Sequence, residues 1–336
     1  MKKILYVGNK LSAHGFTATS IETLGPLLAR EGFVMRYTSE VKNKPLRLLD
    51  MLFQTLRYGR RSDYVLIDTY STSNFWYAFA VSQLCRVLGV RYVPILRGGE
   101  LPSRLRRSPR TSRMIFKNAY ANVAPSQYLF HAFADAGFSR LVHIPNSIET
   151  AKYPFRERSS VGPKLLWVRS FAAIYNPEMA LTVFAAMRQL YPDARLCMVG
   201  PDKNGYLGQI KQSAQRQGLS VTFTGKLSKP EWTALAASYD LFINTTHFDN
   251  MPVSVIEAMA LGLPVVSTNV GGIPFLLEHG RTALLVDDDD AAAMVGALQR
   301  LIAEPGLASG LAQNAARLVA GFDFDRIKQQ WVRLLE

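Results

Sequence analysis

Two successive doubly wound α/β units are the fold class this chain predicts, and three observations predict it. Short apolar runs alternate with amphipathic stretches from end to end. The alternation restarts after a polar, Pro- and Gly-containing segment, residues 149–163, the expected linker. A chain of 336 residues is also long enough to bury two separate cores.

In the first half, strand-like runs fall at Ile4–Val7, Val34–Tyr37, Tyr64–Ile67, Tyr92–Ile95, Asn122–Ala124 and Val142–Ile144. Helical stretches lie between them, among them Thr17–Arg30 and Trp76–Leu88. In the second half, Leu165–Val168, Arg195–Val199, Val221–Thr224, Leu241–Asn244, Val265–Ser267 and Leu284–Val286 alternate with helices near Glu178–Leu190, Leu207–Gln217, Val255–Leu261 and Ala291–Ala303. Right-handed crossovers between such strands give mostly parallel sheets with helices on both faces. The domain limits expected are 1–150 and 151–321.

Cys85 and Cys197 are far apart and make no disulfide framework, which fits a reducing cytoplasm. The apolar run after Met1-Lys2-Lys3 is too short for a signal peptide and suits a first strand. Phe75 to Leu84, the longest bilayer-spanning candidate, is broken by Ser82 and Gln83. The net charge of +13 is unevenly spread: residues 1–150 carry 21 Lys and Arg against 9 Asp and Glu, whereas residues 151–336 carry 18 against 17. Its densest part is Arg104, Arg106, Arg107, Arg110, Arg113 and Lys117, interleaved with Met114, Ile115 and Phe116. Such a segment docks on anionic headgroups at the inner face of a membrane, holds a pyrophosphate-bearing acceptor, or is simply a solvated basic helix. No nucleic-acid module accompanies it.

The stretch Asp249-Asn250-Met251-Pro252-Val253 through Glu257 to Ala260 carries the chemistry, two carboxylates among small and apolar residues. Pro252 suits a first helical turn, Asp249 or Asn250 suits a cap, and Gly262 closes the helix. The free amides and positive dipole end of that helix favour an anionic phosphate. Glu257, about two turns in, needs a partner such as a ligand hydroxyl pair. The strand Pro264–Ser267 and the loop Gly271-Gly272 follow.

This order resembles the acidic-x7-acidic signature of the retaining family 4 glycosyltransferases, nucleotide-sugar enzymes of the GT-B fold, in which two Rossmann-like domains face a central cleft. The family's usual Glu-Gly-Phe-Pro is here Asp249-Asn250-Met251-Pro252. The resemblance implies that Asp249 contacts the donor sugar, Glu257 grips the nucleotide ribose, and the helix start at Pro252-Val253 holds the pyrophosphate. It also implies that the last helix, Phe324–Leu335 within 322–336, crosses back onto the first domain.

Further positions follow from the same resemblance. Arg169, after the strand Leu165–Val168, matches a pyrophosphate-binding arginine. The usual Lys that follows is replaced by Tyr175-Asn176-Pro177, leaving Asn176 as a second phosphate contact. Gly200 and Lys226-Leu227 border the nucleotide base, while Phe275 stands where the family has an acid. Gly15, in the loop after the first strand, lets the backbone approach the donor, and His14 beside it reads either as a catalytic group or as a solvated side chain. Where relatives carry His-Gly, this chain has Arg97-Gly98-Gly99-Glu100. Arg97, permanently protonated, cannot serve as a base and suits an acceptor phosphate or hydroxyl, with Glu100 as its partner. Asn146 matches the family's Pro-Asn-Gly at the domain exit. Asp287–Asp290 precedes Ala291–Met294 and reads as a helix cap, and no metal site or cofactor is expected.

The implied activity is a retaining, metal-independent transfer of a sugar from a nucleoside diphosphate, of UDP or GDP type, to a glycan or lipid-linked acceptor in surface polysaccharide or glycoconjugate synthesis. The leaving phosphate itself would help deprotonate the incoming hydroxyl. Two alternatives stay open: a catalytically weak nucleotide-sugar-binding scaffold, suggested by the absent Lys and His, and another GT-B enzyme such as a sugar-nucleotide epimerase or sugar phosphorylase.

Overall fold

The computed structural model describes residues 1–16 and 18–336, so the helical start expected at Thr17 lies outside the described residues. The chain divides into two compact units, residues 1–146 with 324–336, and residues 147–323.

Unit 1 contains strands β1 (Lys3–Val7), β2 (Val34–Thr38), β3 (Tyr64–Thr69), β4 (Tyr92–Leu96), β5 (Asn122–Ala124) and β6 (Leu141–His143). Between them run helices α1 (Ser20–Arg30), α2 (Lys44–Tyr58), α3 (Phe75–Leu88), α4 (Leu101–Arg107), α5 (Pro109–Phe116) and α6 (Gln127–Asp135). The strands form one six-stranded sheet of order β2-β1-β3-β4-β5-β6, with β1 in parallel register against both β2 and β3. The period-2 geometry of a strand divides β1 between two cores. Ile4 and Tyr6 pack with Leu24, Leu28, Leu66 and Trp331, whereas Leu5 and Val7 pack with Met51, Val65, Ile67, Val81 and Cys85. A parallel sheet covered on both faces reads as continuous apolar runs, and β3 is accordingly buried along its whole length.

Unit 2 has strands β7 (Lys164–Val168), β8 (Arg195–Val199), β9 (Val221–Gly225), β10 (Leu241–Asn244), β11 (Val265–Thr268) and β12 (Leu284–Val286), in the parallel order β12-β11-β10-β7-β8-β9. Its helices are α7 (Pro177–Leu190), α8 (Tyr206–Arg216), α9 (Lys229–Ala236), α10 (Val253–Ala260), α11 (Ile273–Leu276), α12 (Ala291–Ala303) and α13 (Pro305–Val319). Trp167, Met198 and Ile243 face one core with Phe184 and Leu298, and Leu166, Cys197 and Phe242 face the other with Val255, Met259 and Val319. Each large apolar side chain so buried contributes about 1.5–3 kcal/mol. The C-terminal helix α14 (Phe324–Leu335) belongs to unit 1 and buries Phe324, Ile327, Trp331 and Leu335 there. Asp290 caps α12 as expected, its Oδ1 accepting from Ala293 N at 2.8 Å.

The segment expected to be a linker is instead strapped to unit 2. Tyr153 is buried, the Phe155 ring lies against Gly262, and Arg158 is 6% exposed among backbone carbonyls. Its Nε donates to Tyr239 O at 3.2 Å; Nη1 donates to Arg156 O, Leu261 O and Gly262 O at 3.1, 3.0 and 2.9 Å; Nη2 donates to Ala236 O at 3.2 Å. These carbonyls include the C-terminal ends of α9 and α10, where the helix dipole is negative. Burial, with Arg156 nearby, still pushes the Arg158 pKa down to about 10.

Candidate functional site

In a doubly wound sheet the ligand crevice opens at the C-terminal strand ends where the winding order reverses. The order of unit 2 reverses between β7 and β10, and that of unit 1 between β1 and β3. Loops leaving these strands carry Arg169, Asn176 and Asp249 to Pro252 in unit 2 and His14 and Gly15 in unit 1, whereas Gly200, Lys226, Leu227, Arg97 to Glu100 and Asn146 follow neighbouring strands.

In unit 2, Arg169 follows β7 and is held in place. Its N donates to Val199 O at 2.9 Å, and its Nε donates to Asn244 Oδ1, at the end of β10, at 3.3 Å. The guanidinium lies over the Tyr175 ring, 5.1 Å from its centroid. Nη2 approaches Asp249 Oδ2 to 2.9 Å, an ion pair with 12% and 15% side-chain exposure, yet Nη2 is buried and makes no hydrogen bond. Burial and the Asp249 charge both raise the Tyr175 pKa, which keeps it a neutral phenol. The structure thus brings Arg169 and Asp249 together at the switch point.

Close backbone packing fixes the geometry around the pair. A Cβ on Gly272 would sit 1.8 Å from Asn250 O, and one on Gly271, at φ +54°, would sit 2.3 Å from Asp249 O. Only glycines admit this approach, and Gly272 N donates to Asp249 O at 2.8 Å. Gly200 has the same role beside β7, where a Cβ would meet Arg169 O at 1.7 Å. Its amide donates to Gly225 O at 2.9 Å, leaving Lys226 exposed and Leu227 half-buried against the apolar core.

The expected cap on α10 is not made. Pro252 is the N-cap residue, no side chain closes the helix start, and Asp249 Oδ1 accepts from the Asn250 amide at 2.7 Å instead. The other Asp249 oxygen, Oδ2, faces Arg169, so neither carboxylate oxygen caps the helix amides. Asn250 and Met251 are buried beside it. Asn176, expected at the phosphates, is consumed elsewhere. It sits at φ 45°, caps α7 through Oδ1 to Met179 N at 3.1 Å, and donates from Nδ2 to Asp289 Oδ1 at 2.9 Å.

Glu257 is 1% exposed. Its Oε1 accepts from the Tyr153 hydroxyl at 2.7 Å and from Lys229 Nζ, while Oε2 is buried without a hydrogen-bond partner. Burial first and the Glu257 charge second raise the Tyr153 pKa, so Tyr153 stays a donor. Lys229, at 59% side-chain exposure, adds a cation that the sequence left unnoticed. Ser254 Oγ, one turn before Glu257 on α10, is likewise buried and unpartnered. Ser254 Oγ and Glu257 Oε2 are the kind of unmet polar demand that a bound polar ligand satisfies, and Arg169 Nη2 adds a cation that is ion-paired with Asp249 but makes no hydrogen bond.

In unit 1, Arg97 follows β4. Its partner is Asp68 at the end of β3, not Glu100: Nε lies 3.3 Å from Asp68 Oδ1, and Nη1 donates to Asn146 Oδ1 at 2.6 Å. Glu100 is exposed at the start of α4. Asp68 is fully buried, accepts from the Tyr6 hydroxyl at 3.0 Å, and leaves Oδ2 unpartnered. Burial raises its pKa, and Arg97 opposes the rise. Gly98 serves packing, since a Cβ there would meet Ser71 N at 2.4 Å, and Gly99 is half-buried next to it. Gly15, at φ +85°, leaves open space in front of its backbone. His14 is exposed, with Nε2 3.0 Å from Glu40 O.

Of the arginine cluster, Arg106, Arg107, Arg110 and Arg113 are exposed, but Arg104 turns into the fold. Its Nε and Nη2 both donate to Ser71 O, at 2.9 and 2.6 Å, with the guanidinium over the Phe75 ring, and these contacts hold it away from the exposed cluster. No helix among the described residues is long and apolar enough to cross a membrane, and none of their His, Cys, Asp and Glu groups forms a metal-binding set.

The family described as Glycosyl transferases group 1 matches residues 162–304. Among curated relatives, glycogen synthase of Mycobacterium tuberculosis is 27% identical over 196 residues, covering 57% of this chain and 47% of that protein. GDP-mannose-dependent alpha-(1-6)-phosphatidylinositol monomannoside mannosyltransferase of Mycolicibacterium smegmatis is 26% identical over 294 residues, covering 79% and 75%. The chain spans about half the length of the first curated relatives it matches. In fold it is similar to sucrose-phosphate synthase of Thermosynechococcus elongatus, with TM-score 0.84, 17% identity and coverage of 99% and 98%. It is also similar to Anabaena Alr3699/HepE in complex with UDP-glucose, with TM-score 0.77, 20% identity and coverage of 100% and 99%. The fold is GT-B, built from two parallel six-stranded sheets.

Proposed function

We propose, for a chain whose residues 162–304 belong to the glycosyl transferases of group 1, that it moves a sugar from a nucleoside diphosphate to a glycan or lipid-linked acceptor with retention of anomeric configuration. The observation that carries the reading is the pair of unpartnered buried atoms on α10, Ser254 Oγ and Glu257 Oε2, beside the Arg169–Asp249 ion pair at the unit 2 switch point. Glu257 and Ser254 take the ribose hydroxyls, the open start of α10 and Arg169 take the diphosphate, and Asp249 faces the donor sugar. A UDP or GDP donor is supported by HepE, whose structure holds UDP-glucose, and by the mannosyltransferase named for GDP-mannose. The lipid-linked acceptor and a peripheral place at a membrane are supported by the excess cations of residues 1–150 and by that mannosyltransferase, which is named for phosphatidylinositol monomannoside. Arg97, held by Asp68 and Asn146, is the acceptor-side cation.

A binding screen against UDP-, GDP- and ADP-sugars, followed by product analysis for anomeric configuration, tests this reading. Absence of any nucleotide binding rejects it, and an inverted product rejects the retaining part.

Two substitutions separate the roles at the ion pair. Arg169→Ala is expected to weaken UDP by about tenfold to a hundredfold and to leave uridine unchanged, because its proposed contact is with phosphate oxygens alone. Equal losses for UDP and uridine in titration calorimetry would mean that Arg169 acts through the fold. Asp249→Asn is expected to keep UDP affinity within a few-fold and to lower turnover by about tenfold or more, since a carboxylate facing the donor sugar acts chiefly in the transition state. Unchanged turnover removes Asp249 from the chemistry.

A further inference from the structure

The longest helix of unit 1 turns an apolar face outward. Along α2, Leu46, Leu49, Phe53 and Leu56 are each 54–60% exposed, while Arg47, Met51 and Thr55 face the sheet. At 3.6 residues per turn, the spacing i, i+3, i+7, i+10 places all four side chains within about a quarter of the helix circumference. They form a continuous stripe about 15 Å long at 1.5 Å per residue. Scattered exposed leucines are ordinary, but four large apolar side chains in line on one helix mark a surface that something covers.

The charges around the stripe say what covers it. Lys42 and Lys44 lie exposed at its N-terminal end, and Arg57, Arg60 and Arg61 at its C-terminal end. The helix's one acid, Asp50, is half-buried and accepts from Thr38 Oγ1 at 3.1 Å and Gln54 Nε2 at 3.2 Å. Helix α3, packed beside α2, exposes Trp76 and Val87, and α5, packed beside α3, exposes Arg110, Arg113 and Met114. An apolar stripe with cations at both ends and no free acid is complementary to an anionic lipid surface, whose acyl region takes the leucines and whose headgroups take the lysines and arginines. A second copy of the chain would bring cations against cations.

We propose that the outer face of α2 is a membrane-docking surface, in which Leu46, Leu49, Phe53 and Leu56 enter the headgroup–acyl boundary of an anionic bilayer. The inference deepens the proposed function, because it names the surface that would keep the enzyme beside a lipid-linked acceptor. It differs from docking by the arginine cluster alone in one measurable respect. Purely electrostatic binding disappears as salt screens it, whereas an inserted apolar stripe retains part of its binding.

The test uses the full chain and vesicles of phosphatidylcholine with or without phosphatidylglycerol, at low and high salt. The wild type is expected to co-sediment with anionic vesicles and to keep part of its binding at high salt. Leu49→Gln/Phe53→Gln/Leu56→Gln is expected to lose about tenfold or more in partitioning at both salt concentrations. All three positions are exposed, so the fold is expected to persist, and unchanged UDP affinity of the variant checks it. A second readout is direct. Cys85 and Cys197 are both buried, so Phe53→Cys carries a single exposed thiol for an environment-sensitive fluorophore. Its emission is expected to shift to the blue on anionic vesicles and to stay put on neutral ones. Vesicle binding equal to wild type in the triple variant, an unshifted fluorophore, or a vesicle-free dimer that the triple variant abolishes each overturns the proposal. If the wild type binds vesicles but no nucleotide, the docking surface stands and the glycosyltransferase reading falls.

Discussion

Glu257→Ala is expected to lower affinity for UDP or GDP by about a hundredfold, the equivalent of losing about 3 kcal/mol of charge-assisted hydrogen bonding to a ribose diol. The size follows from burial. Glu257 is 1% exposed and Oε2 has no partner within the protein, so a ligand hydroxyl donates to an already desolvated acceptor and displaces little water. The competing explanation is that Glu257 only anchors Tyr153 and Lys229. Losing the carboxylate costs the Tyr153 hydroxyl its acceptor, about 1 kcal/mol of stability, and costs the 59%-exposed Lys229 little because water replaces its partner. Tyr153→Phe separates the two, since it removes the same intramolecular hydrogen bond and keeps the carboxylate. Titration calorimetry should show Tyr153→Phe within a few-fold of wild type and Glu257→Ala near the detection limit, with both variants folded by circular dichroism. If Glu257→Ala binds UDP normally, the ribose site has been misplaced.

Why Glu257 was legible in the sequence and its partners were not follows from how contacts are distributed along a chain. Asp249, Pro252, Glu257 and Gly262 lie within one loop–helix segment, and local chemistry dictates their arrangement: a proline at a helix start and a glycine at its end. Tyr153 reaches Glu257 from 104 residues away, and Arg169 meets Asn244 across 75 residues. No local period encodes such pairings: the adjacency of β10 and β7 sets Arg169 beside Asn244, and the strap before β7 brings Tyr153 to α10. The strands were readable because both faces of each sheet are covered, which turns each strand into an unbroken apolar run.

The misreadings have equally physical causes. Helix α2 has an apolar face wider than the part that packs on the sheet, so Leu48 and Leu52 lie inward while Leu49 and Phe53, on the same face, lie outward, and its sequence alone does not show which part is covered. Glu100 is three residues from Arg97 in sequence and looked like its partner. Parallel pairing of β3 with β4 instead sets Asp68 beside Ile95 in register, two residues before Arg97, and the buried carboxylate takes the guanidinium. Asn176 was read as a phosphate ligand because a lysine is expected nearby, yet its left-handed backbone and the Pro177 that follows make it a helix cap. Residues 149–163 carry the composition of a linker, and composition reports the absence of regular secondary structure, not the absence of contacts.

That strap supports the second large effect, which concerns stability. Arg158→Met is expected to destabilise the protein by about 3 kcal/mol or more, because it strips five hydrogen bonds from one buried guanidinium and leaves the carbonyls of Ala236, Leu261 and Gly262 without that donor. Methionine fills part of the volume, so the loss reports hydrogen bonding and charge more than a cavity. Arg158→Lys is not a rescue, since one ammonium cannot span the carbonyls that a planar guanidinium reaches together. The effect also propagates to the site. Arg158 fastens the C-terminal end of α10, Gly262 admits Arg156 O only because it lacks a Cβ, and the same helix carries Ser254 and Glu257. Urea unfolding followed by circular dichroism, with and without saturating UDP, measures both consequences. The variant should show a lower midpoint and a weakened UDP affinity, and the nucleotide should recover part of the lost stability by binding only the folded state. A midpoint within the equivalent of about 0.5 kcal/mol of wild type, the range typical of an inconsequential surface substitution, would show that water replaces the guanidinium at these helix ends and that the strap does not hold α10.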